Sequence, residues 1–336
     1  MTNLEFEDIE FVANSRLIDY SKFKNTKILI SGGTGFIGSF LINVFKYRNE
    51  RYNDNVKIIS LSRKKIESDN TCESIQCDIT GRINVECNID YIIHLASNTH
   101  PKQYRDDPVG TITTNIIGCN NLLKLAREKK VKKFLLASSV EVYGEGKNYP
   151  VDELYSGYID FNKARSGYNE SKRLCEALCQ SYKEQYKIDF VTARLSRIIG
   201  PDKKEDTKAI GQFMTKALNN EDIVLKSVGN QLFSYIYISD AVLAILLLLD
   251  RGASGEAYNV AAEINNLTLG DYAKYIAKLA NRKVIFNIES DSAASSATYA
   301  LIDTKKIKKI GFLPKYTITE GLKRTFQIKK EQINSL

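Results

Sequence analysis

The stretch "SGYNESKRLCE" (166–176) sets Tyr168 and Lys172 four residues apart. On a helix that spacing puts both side chains on one face, one turn from each other. A phenol held near an ammonium can exchange protons near neutral pH. The same spacing also suits an ordinary solvated face, so the rest of the chain has to decide. Upstream, "LLASSVEVYGEG" (135–146) ends a β-rich run with Ser139 and Glu141, a hydroxyl and a carboxylate two residues apart. Parallel sheets present their chemistry at such strand ends.

These residues need a scaffold, and the first half of the chain supplies one. Short β-rich runs at 27–31, 56–61, 90–96, 132–138 and 189–195 alternate with helical stretches at 36–48, 114–129 and 166–186. This rhythm predicts a parallel sheet covered on both faces. After residue 195 it loosens. The expected organisation is an N-terminal extension (1–26), a dinucleotide-binding domain (27–195 plus 234–260) and a smaller substrate lobe (196–233 plus 261–336). The fold class is α/β, a Rossmann-type doubly wound sheet with a smaller C-terminal lobe. The longest apolar run, "AVLAILLLL" (241–249), lies between Asp240 and Asp250 and reads as a buried helix.

"KILISGGTGFIGSFL" (27–41) follows the first strand and opens the first helix. Gly32, Gly35 and Gly38 permit, in turn, a tight turn, close approach to a pyrophosphate, and close helix–strand packing, with Phe36 and Ile37 between them. Phosphates would rest on the positive helix N-terminus. The second strand ends in Ser62, Arg63 and Lys64, with no acid for a ribose hydroxyl. That tilts a choice between NAD and NADP slightly toward NADP, although a basic loop that tolerates either fits as well.

Composition narrows the remaining classes. The 336 residues are 43% hydrophobic and 26% charged, an ordinary globular balance. No run approaches the roughly 18 apolar residues of a membrane span, and "MTNLEFEDIEF" lacks the order of a signal peptide. The net charge of +8 gathers in runs such as "KKVKK" (129–133) and "KKIKK" (305–309), without aromatic interleaving or a nucleic-acid reading motif. A small anionic ligand suits it better. Six cysteines without a CxxC pair, and only His94 and His100, predict no metal site and a reduced, cytoplasmic protein. Cys175 and Cys179, at helical spacing, read as core.

In order along the chain, these segments resemble an extended short-chain dehydrogenase/reductase, the branch that modifies nucleotide sugars. "GGTGFIG" matches the family's glycine loop. "CDIT", with Asp78 and Ile79, matches its adenine-side acid, and "IIHLAS", with Leu95 and Ala96, the strand beside the nicotinamide. "TNIIGCNNLL", with Asn115, "SSVEVYG", Tyr168-x-x-x-Lys172, "RLSRIIGP" and "YIYISDAV" follow in the family's order. The resemblance implies a nucleotide-sugar substrate oxidised at C4 by a bound nicotinamide cofactor. Tyr168 would be the acid/base. Lys172 would hold the ribose and favour the phenolate through its charge. Ser139 would position the C4 oxygen. Thr99, Ser139, Arg197 and Phe233 are the expected substrate contacts. A homodimer through paired helices is also implied, with Leu174, Cys175, Leu178 and Tyr182 as its stripe.

Glu141 stands where sugar 4,6-dehydratases carry a base and UDP-glucuronate decarboxylases a glutamate, which tilts the chemistry toward a lyase; a strand-end glutamate capping a loop is the plainer alternative. The segment 98–118 looks most like the decarboxylases. Three departures weaken the tilt. Val140 stands where many dehydratases have an acid, Phe233 where an arginine is usual, and Arg197 where R-x-x-N has its Asn. One expectation is that Arg197 supplies the lost cation from across the pocket; a surface arginine is the alternative. Epimerisation stays open, as does an NADPH-dependent reductase of a 4-keto sugar. A dinucleotide-binding protein without activity is the reading from another class.

Overall fold

The computed structural model describes residues 1–99, 101–202, 208–262, 267–288 and 299–335, so His100 lies outside the described residues. The chain opens with helix α1 (Asn3–Ala13), then strand β1 (Lys27–Ser31), α2 (Phe36–Tyr52), β2 (Lys57–Ser62), β3 (Cys72–Gln76) and β4 (Tyr91–His94). Next come α3 (Pro101–Asp106), α4 (Pro108–Lys129), β5 (Lys133–Ser139), α5 (Ser166–Tyr186) and β6 (Phe190–Leu195). The short strands β7 (Arg197–Ile199), β8 (Ile223–Leu225), β9 (Leu232–Phe233) and β10 (Tyr235–Tyr237) are interrupted by α6 (Ala209–Leu218). Then follow α7 (Ile238–Arg251), β11 (Glu256–Val260), α8 (Leu269–Leu279), β12 (Val284–Phe286), β13 (Tyr299–Ala300), α9 (Lys305–Lys309) and α10 (Ile318–Asn334).

Seven strands form one parallel sheet in the order β11-β6-β5-β4-β1-β2-β3. The chain winds outward from β1 to β3, then returns to β4 on the other side of β1. That reversal opens a crevice at the carboxyl ends of β1 and β4, where ligands of such sheets bind. The central strands are near-continuous apolar runs because both their faces are covered. Ile28 and Leu29 on β1 and Ile92 and Ile93 on β4 have no exposed surface.

All five expected strands are present, with bounds shifted by a residue or two. The alternately buried edge strand β3, "CESIQ", carries too little apolar signal to be read in advance. α4 begins at Pro108, earlier than the expected 114, because Asp107 caps it by accepting from Gly110 N at 2.9 Å and proline suits the first turn. α2 runs on to Tyr52 and stops at Asn53, whose left-handed φ of 51° ends the helix.

Two apolar layers flank the sheet. α7 is buried from Ile238 through Asp250, as its apolar run foretold, and packs in the layer shared with α1 and α2. Cys119, Cys175 and Cys179 lie in the other layer, between α4 and α5. The first 26 residues enter the core: Val12, Ala13 and Phe23 are buried, and the Asp8 carboxylate meets Tyr237 Oη at 2.6 Å and Arg324 Nη2 at 2.9 Å. α1 thereby ties α7's entrance to α10.

Candidate active site

A cavity of about 1200 Å³ opens at the carboxyl ends of the sheet. Its wall contains Gly32, Gly35, Phe36, Ile37, Gly38, Ser62, Arg63, Asp78, Ile79, Leu95, Ala96, Thr99, Ser139, Glu141, Tyr168, Arg197 and Phe233. The fold thus brings together nearly every residue singled out from the sequence. The exceptions are Asn115 and Lys172, which stand just behind that wall. Among the described residues no cluster of three His, Cys, Asp or Glu could hold a metal.

The glycine loop forms one end. Gly32 has φ +79°, which L side chains rarely adopt. A Cβ on Gly38 would collide with the Gly32 carbonyl oxygen and the Gly33 backbone, so only hydrogen fits where α2 crosses β1. Gly35 caps α2 with no side-chain bond, leaving first-turn N–H groups available to an anion. Farther along the same end, Asp78 accepts from the Thr80 backbone N–H at 2.9 Å and hydroxyl at 2.8 Å. These bonds hold its carboxyl below the usual range. Ser62 donates to Lys64 O at 2.6 Å, fixing the turn that presents Arg63. The loop residues therefore fit a dinucleotide: glycine backbone for phosphates and polar side chains at the rim.

The chemical groups stand mid-cavity. Ser139 ends β5 and accepts from the Glu141 N–H at 3.2 Å, so its own O–H remains a donor. Tyr168 lies in the first turn of α5 and is 5% exposed. Lys172, one turn later, is buried; its Nζ donates to Ala137 O at 3.0 Å and lies 6.0 Å from the Tyr168 ring centroid. Asn115 on α4 accepts from Ser97 Oγ at 2.7 Å and donates to Ser171 Oγ at 2.9 Å, bridging α5 to the loop after β4. Beneath, His94 pairs through Nδ1 with Ser31 Oγ at 2.8 Å; burial, helped by the Lys172 charge, pushes its imidazole down to about 3. It is neutral at physiological pH.

Glu141 faces three donors. Arg165 Nη2 and Asn169 Nδ2 approach its Oε2 at 3.1 Å each, and Arg197 Nη2 comes within 3.8 Å of Oε1. This is more than a loop cap: two guanidiniums share one carboxylate at the cavity wall. Arg197 differs from expectation. Its guanidinium lies 3.7 Å over the Phe233 ring instead of facing that residue across the pocket, and its Nη1 is buried without a hydrogen-bond partner among the described residues. Behind this group, Arg194 grips Glu176 (2.6 Å) and the Tyr143 hydroxyl (3.0 Å), while Ser138 Oγ donates to Glu176 at 2.6 Å. The strand end carrying Ser139 is thereby bolted to the helix carrying Tyr168.

Arg165, Asn169 and Tyr104 were not foreseen. Arg165 and Asn169 flank Tyr168 at −3 and +1, a helical spacing that could have signalled them. Tyr104, in α3, stacks on Tyr168 with ring centroids 4.3 Å apart and 22° between planes. Nothing in its spacing announces that contact. Burial first, then Tyr168 and Glu141, push the Tyr104 phenol well above its ordinary range.

Known proteins are similar to this chain in sequence and fold. The family model described as "NAD dependent epimerase/dehydratase family" matches residues 28–261. "UDP-glucuronic acid decarboxylase 3" of Arabidopsis thaliana is 33% identical over 315 residues, covering 90% of this chain and 89% of that protein. The solved dTDP-glucose 4,6-dehydratase DesIV of Streptomyces venezuelae, with NAD and TYD bound, superposes with a TM-score of 0.78 at 21% identity, over 92% of this chain and 98% of that one. Epimerase Mth375 of Methanothermobacter thermautotrophicus gives 0.80 at 22% identity, over 96% and 97%. At those identities the two structures speak for the fold, while the family match covers the glycine loop, Ser139, Glu141, Tyr168, Lys172 and Arg197 together. The chain belongs to the NAD dependent epimerase/dehydratase family.

Proposed function

We propose that this protein is a nucleotide-sugar lyase that oxidises the sugar at C4 with bound NAD and then releases carbon dioxide from a UDP-glucuronate-type substrate. The single observation that carries the reading is Glu141, held at the cavity wall beside Tyr168 by Arg165, Asn169 and Arg197. Its likeness to decarboxylases over 90% of the chain supports it. That likeness favours the lyase over an NADPH-dependent reductase. The family's NAD dependence outweighs the tilt toward NADP from Arg63.

Residues 27–195 with 234–260 would hold the dinucleotide, and 196–233 with 261–336 would close over the sugar nucleotide. Gly32, Gly35 and Gly38 receive the phosphates, Asp78 and Ile79 the adenine side, and Leu95 and Ala96 the nicotinamide side. NAD, when bound, supplies the acceptor for the C4 hydride and its later donor. Ser139 donates a hydrogen bond to the C4 oxygen, and Tyr168 takes the C4 hydroxyl proton. Lys172, buried behind Tyr168, supplies positive charge on the protein side of that transfer. Glu141 orients the sugar as carbon dioxide leaves. Arg197, at the cavity wall, supplies positive charge to an anionic group of the substrate. A homodimer would form across α4 and α5, where Ile117 and Leu174 are exposed; Cys175 faces the core and takes no part in that stripe.

The test is incubation with a panel of nucleotide sugars, UDP-glucuronate included, followed by mass spectrometry. Loss of carbon dioxide is expected. Loss of water, unchanged mass with a new epimer, or gain of two hydrogens would each replace the reading with another member of the family's chemistry.

A further inference from the structure

Tyr104 lies within segment 98–118 but is not among the site residues expected from the sequence, yet it is 6% exposed and lines the cavity. Its ring stacks on Tyr168, and the Arg165 guanidinium stands 4.8 Å from its centroid. The same guanidinium donates to Glu141 and, through Nη1, to Asn169 Oδ1 at 2.9 Å. We infer that Tyr104 is a positioning residue: it sets the plane of the Tyr168 ring and connects it, through Arg165, to Glu141.

The Tyr168 ring is buried, and Tyr104 is the ring stacked on it. Tyr168 stands in the first turn of α5, whose N-cap is Arg165 with no side-chain cap bond. A phenol there pivots about two side-chain torsions, and its oxygen swings farthest. A flat aromatic neighbour at stacking distance restricts that swing. Displacing a reacting group by about 1 Å costs on the order of a hundredfold in rate, so a partial loss of this restraint matters. Simple core packing would account for the burial of Tyr104. It does not account for a cation shared between its ring and the carboxylate at the same cavity wall.

The inference rests on Tyr168 being the proton acceptor proposed above, and the experiment separates the two. Single-turnover formation of reduced cofactor is measured with the nucleotide sugar that reduces the wild-type enzyme, alongside substrate affinity. Tyr104→Leu should slow hydride transfer about tenfold, with substrate affinity within about twofold of wild type. Tyr104→Phe, which keeps the ring, should restore the rate. Arg165→Gln, at a half-exposed position, should slow the same step about threefold. With 3-fluorotyrosine incorporated, the fluorine signal that vanishes in Tyr168→Phe should move in Tyr104→Leu before any substrate is added. Unchanged hydride transfer in Tyr104→Leu and Arg165→Gln, or an unmoved fluorine signal, overturns the inference while leaving Tyr168 its role. Equal losses in Tyr104→Phe and Tyr104→Leu overturn it too, since the hydroxyl and not the ring would then matter. An active Tyr168→Phe enzyme overturns the reading of the site itself, and this inference with it.

Discussion

The two ends of the cavity are built on different principles. The proposed dinucleotide end is made mostly of backbone: a glycine turn, a helix start and strand ends in a fixed sheet order. The proposed sugar end is made of side chains from β5, α3, α5, β7 and β9. Backbone recognition leaves little choice of residue, because a Cβ at Gly38 strikes the Gly32 carbonyl. Side-chain recognition can be rearranged, and here it has been: Val140, Arg197 and Phe233 all depart from the expected pattern. The backbone-built end leaves little freedom in what it binds, and the rearranged end is where we propose that the choice of sugar is made.

The sharpest way to test that division is to disable chemistry while sparing both ends. Tyr168→Phe should bind cofactor normally and lose about a hundredfold or more in turnover, the usual scale for a positioned acid/base. Wild-type turnover in that variant would take Tyr168 out of the mechanism.

Glu141→Gln probes the sugar end alone. It keeps the shape, loses the charge, and leaves Arg165 and Arg197 sharing a neutral amide. Hydride transfer should proceed and then stall, so reduced cofactor accumulates and product formation falls by roughly a hundredfold. Normal product with no accumulation would end the lyase reading and leave an epimerase or reductase.

Gly38→Ala probes the dinucleotide end. The added methyl must push α2 away from the Gly32 turn, at a cost of about 1–3 kcal/mol in stability. Cofactor affinity should fall by about tenfold as the first-turn N–H groups lose their aim. A variant that binds NAD like the wild type would mean that the loop is not the phosphate site.

What could be read from the sequence follows the same line. The sheet, the glycine turn and the Tyr168–Lys172 face were legible because each rests on local spacing, period two, period 3.6 or a three-residue glycine interval. Tyr104 was not, because its contact with Tyr168 joins α3 to α5 with no repeating pattern to announce it. Arg197 was legible as an anomaly but not in its placement: stacking on Phe233 is fixed by where β7 and β9 sit, not by spacing. The buried Lys172–Ala137 bond likewise depends on the α5–β5 approach. Of the N-terminal residues, the sequence carried only an acidic composition; their burial against α7 and α10 is a tertiary fact.

Arg197→Gln refines the sugar end further. Removing the guanidinium deletes a charge-assisted contact worth roughly 1.5–3 kcal/mol. KM for an acidic sugar nucleotide should rise about tenfold with kcat nearly constant, the pattern of uniform binding loss. A neutral sugar nucleotide should be affected less, if Arg197 reads the sugar's own charge. Equal effects on both would assign Arg197 to the diphosphate.

The smallest effect lies behind the sugar end, at Asp240 near the start of α7. Its carboxylate is buried and accepts from the backbone N–H groups of Lys315 at 2.8 Å and Tyr316 at 3.1 Å, just before α10. α10 carries Leu322, Thr325 and Lys329 to the cavity wall, so Asp240 anchors part of that wall without touching it. Burial outweighs those two hydrogen bonds and raises the carboxyl from 3.8 to about 6. The folded state therefore holds the Asp240 proton more tightly than the unfolded chain does between those two values. Its contribution to stability is fullest below about pH 4, declines as pH rises through about 6, and is level above that. Two pKa units correspond to at most about 3 kcal/mol, reduced by local relaxation. Asp240→Asn should flatten the fall in unfolding free energy between about pH 4 and 6 while leaving turnover within about twofold of wild type. The other carboxylates titrate in both proteins, so the difference between the two pH profiles isolates this one. Parallel profiles would mean that burial does not raise the Asp240 carboxyl above its value in the unfolded chain.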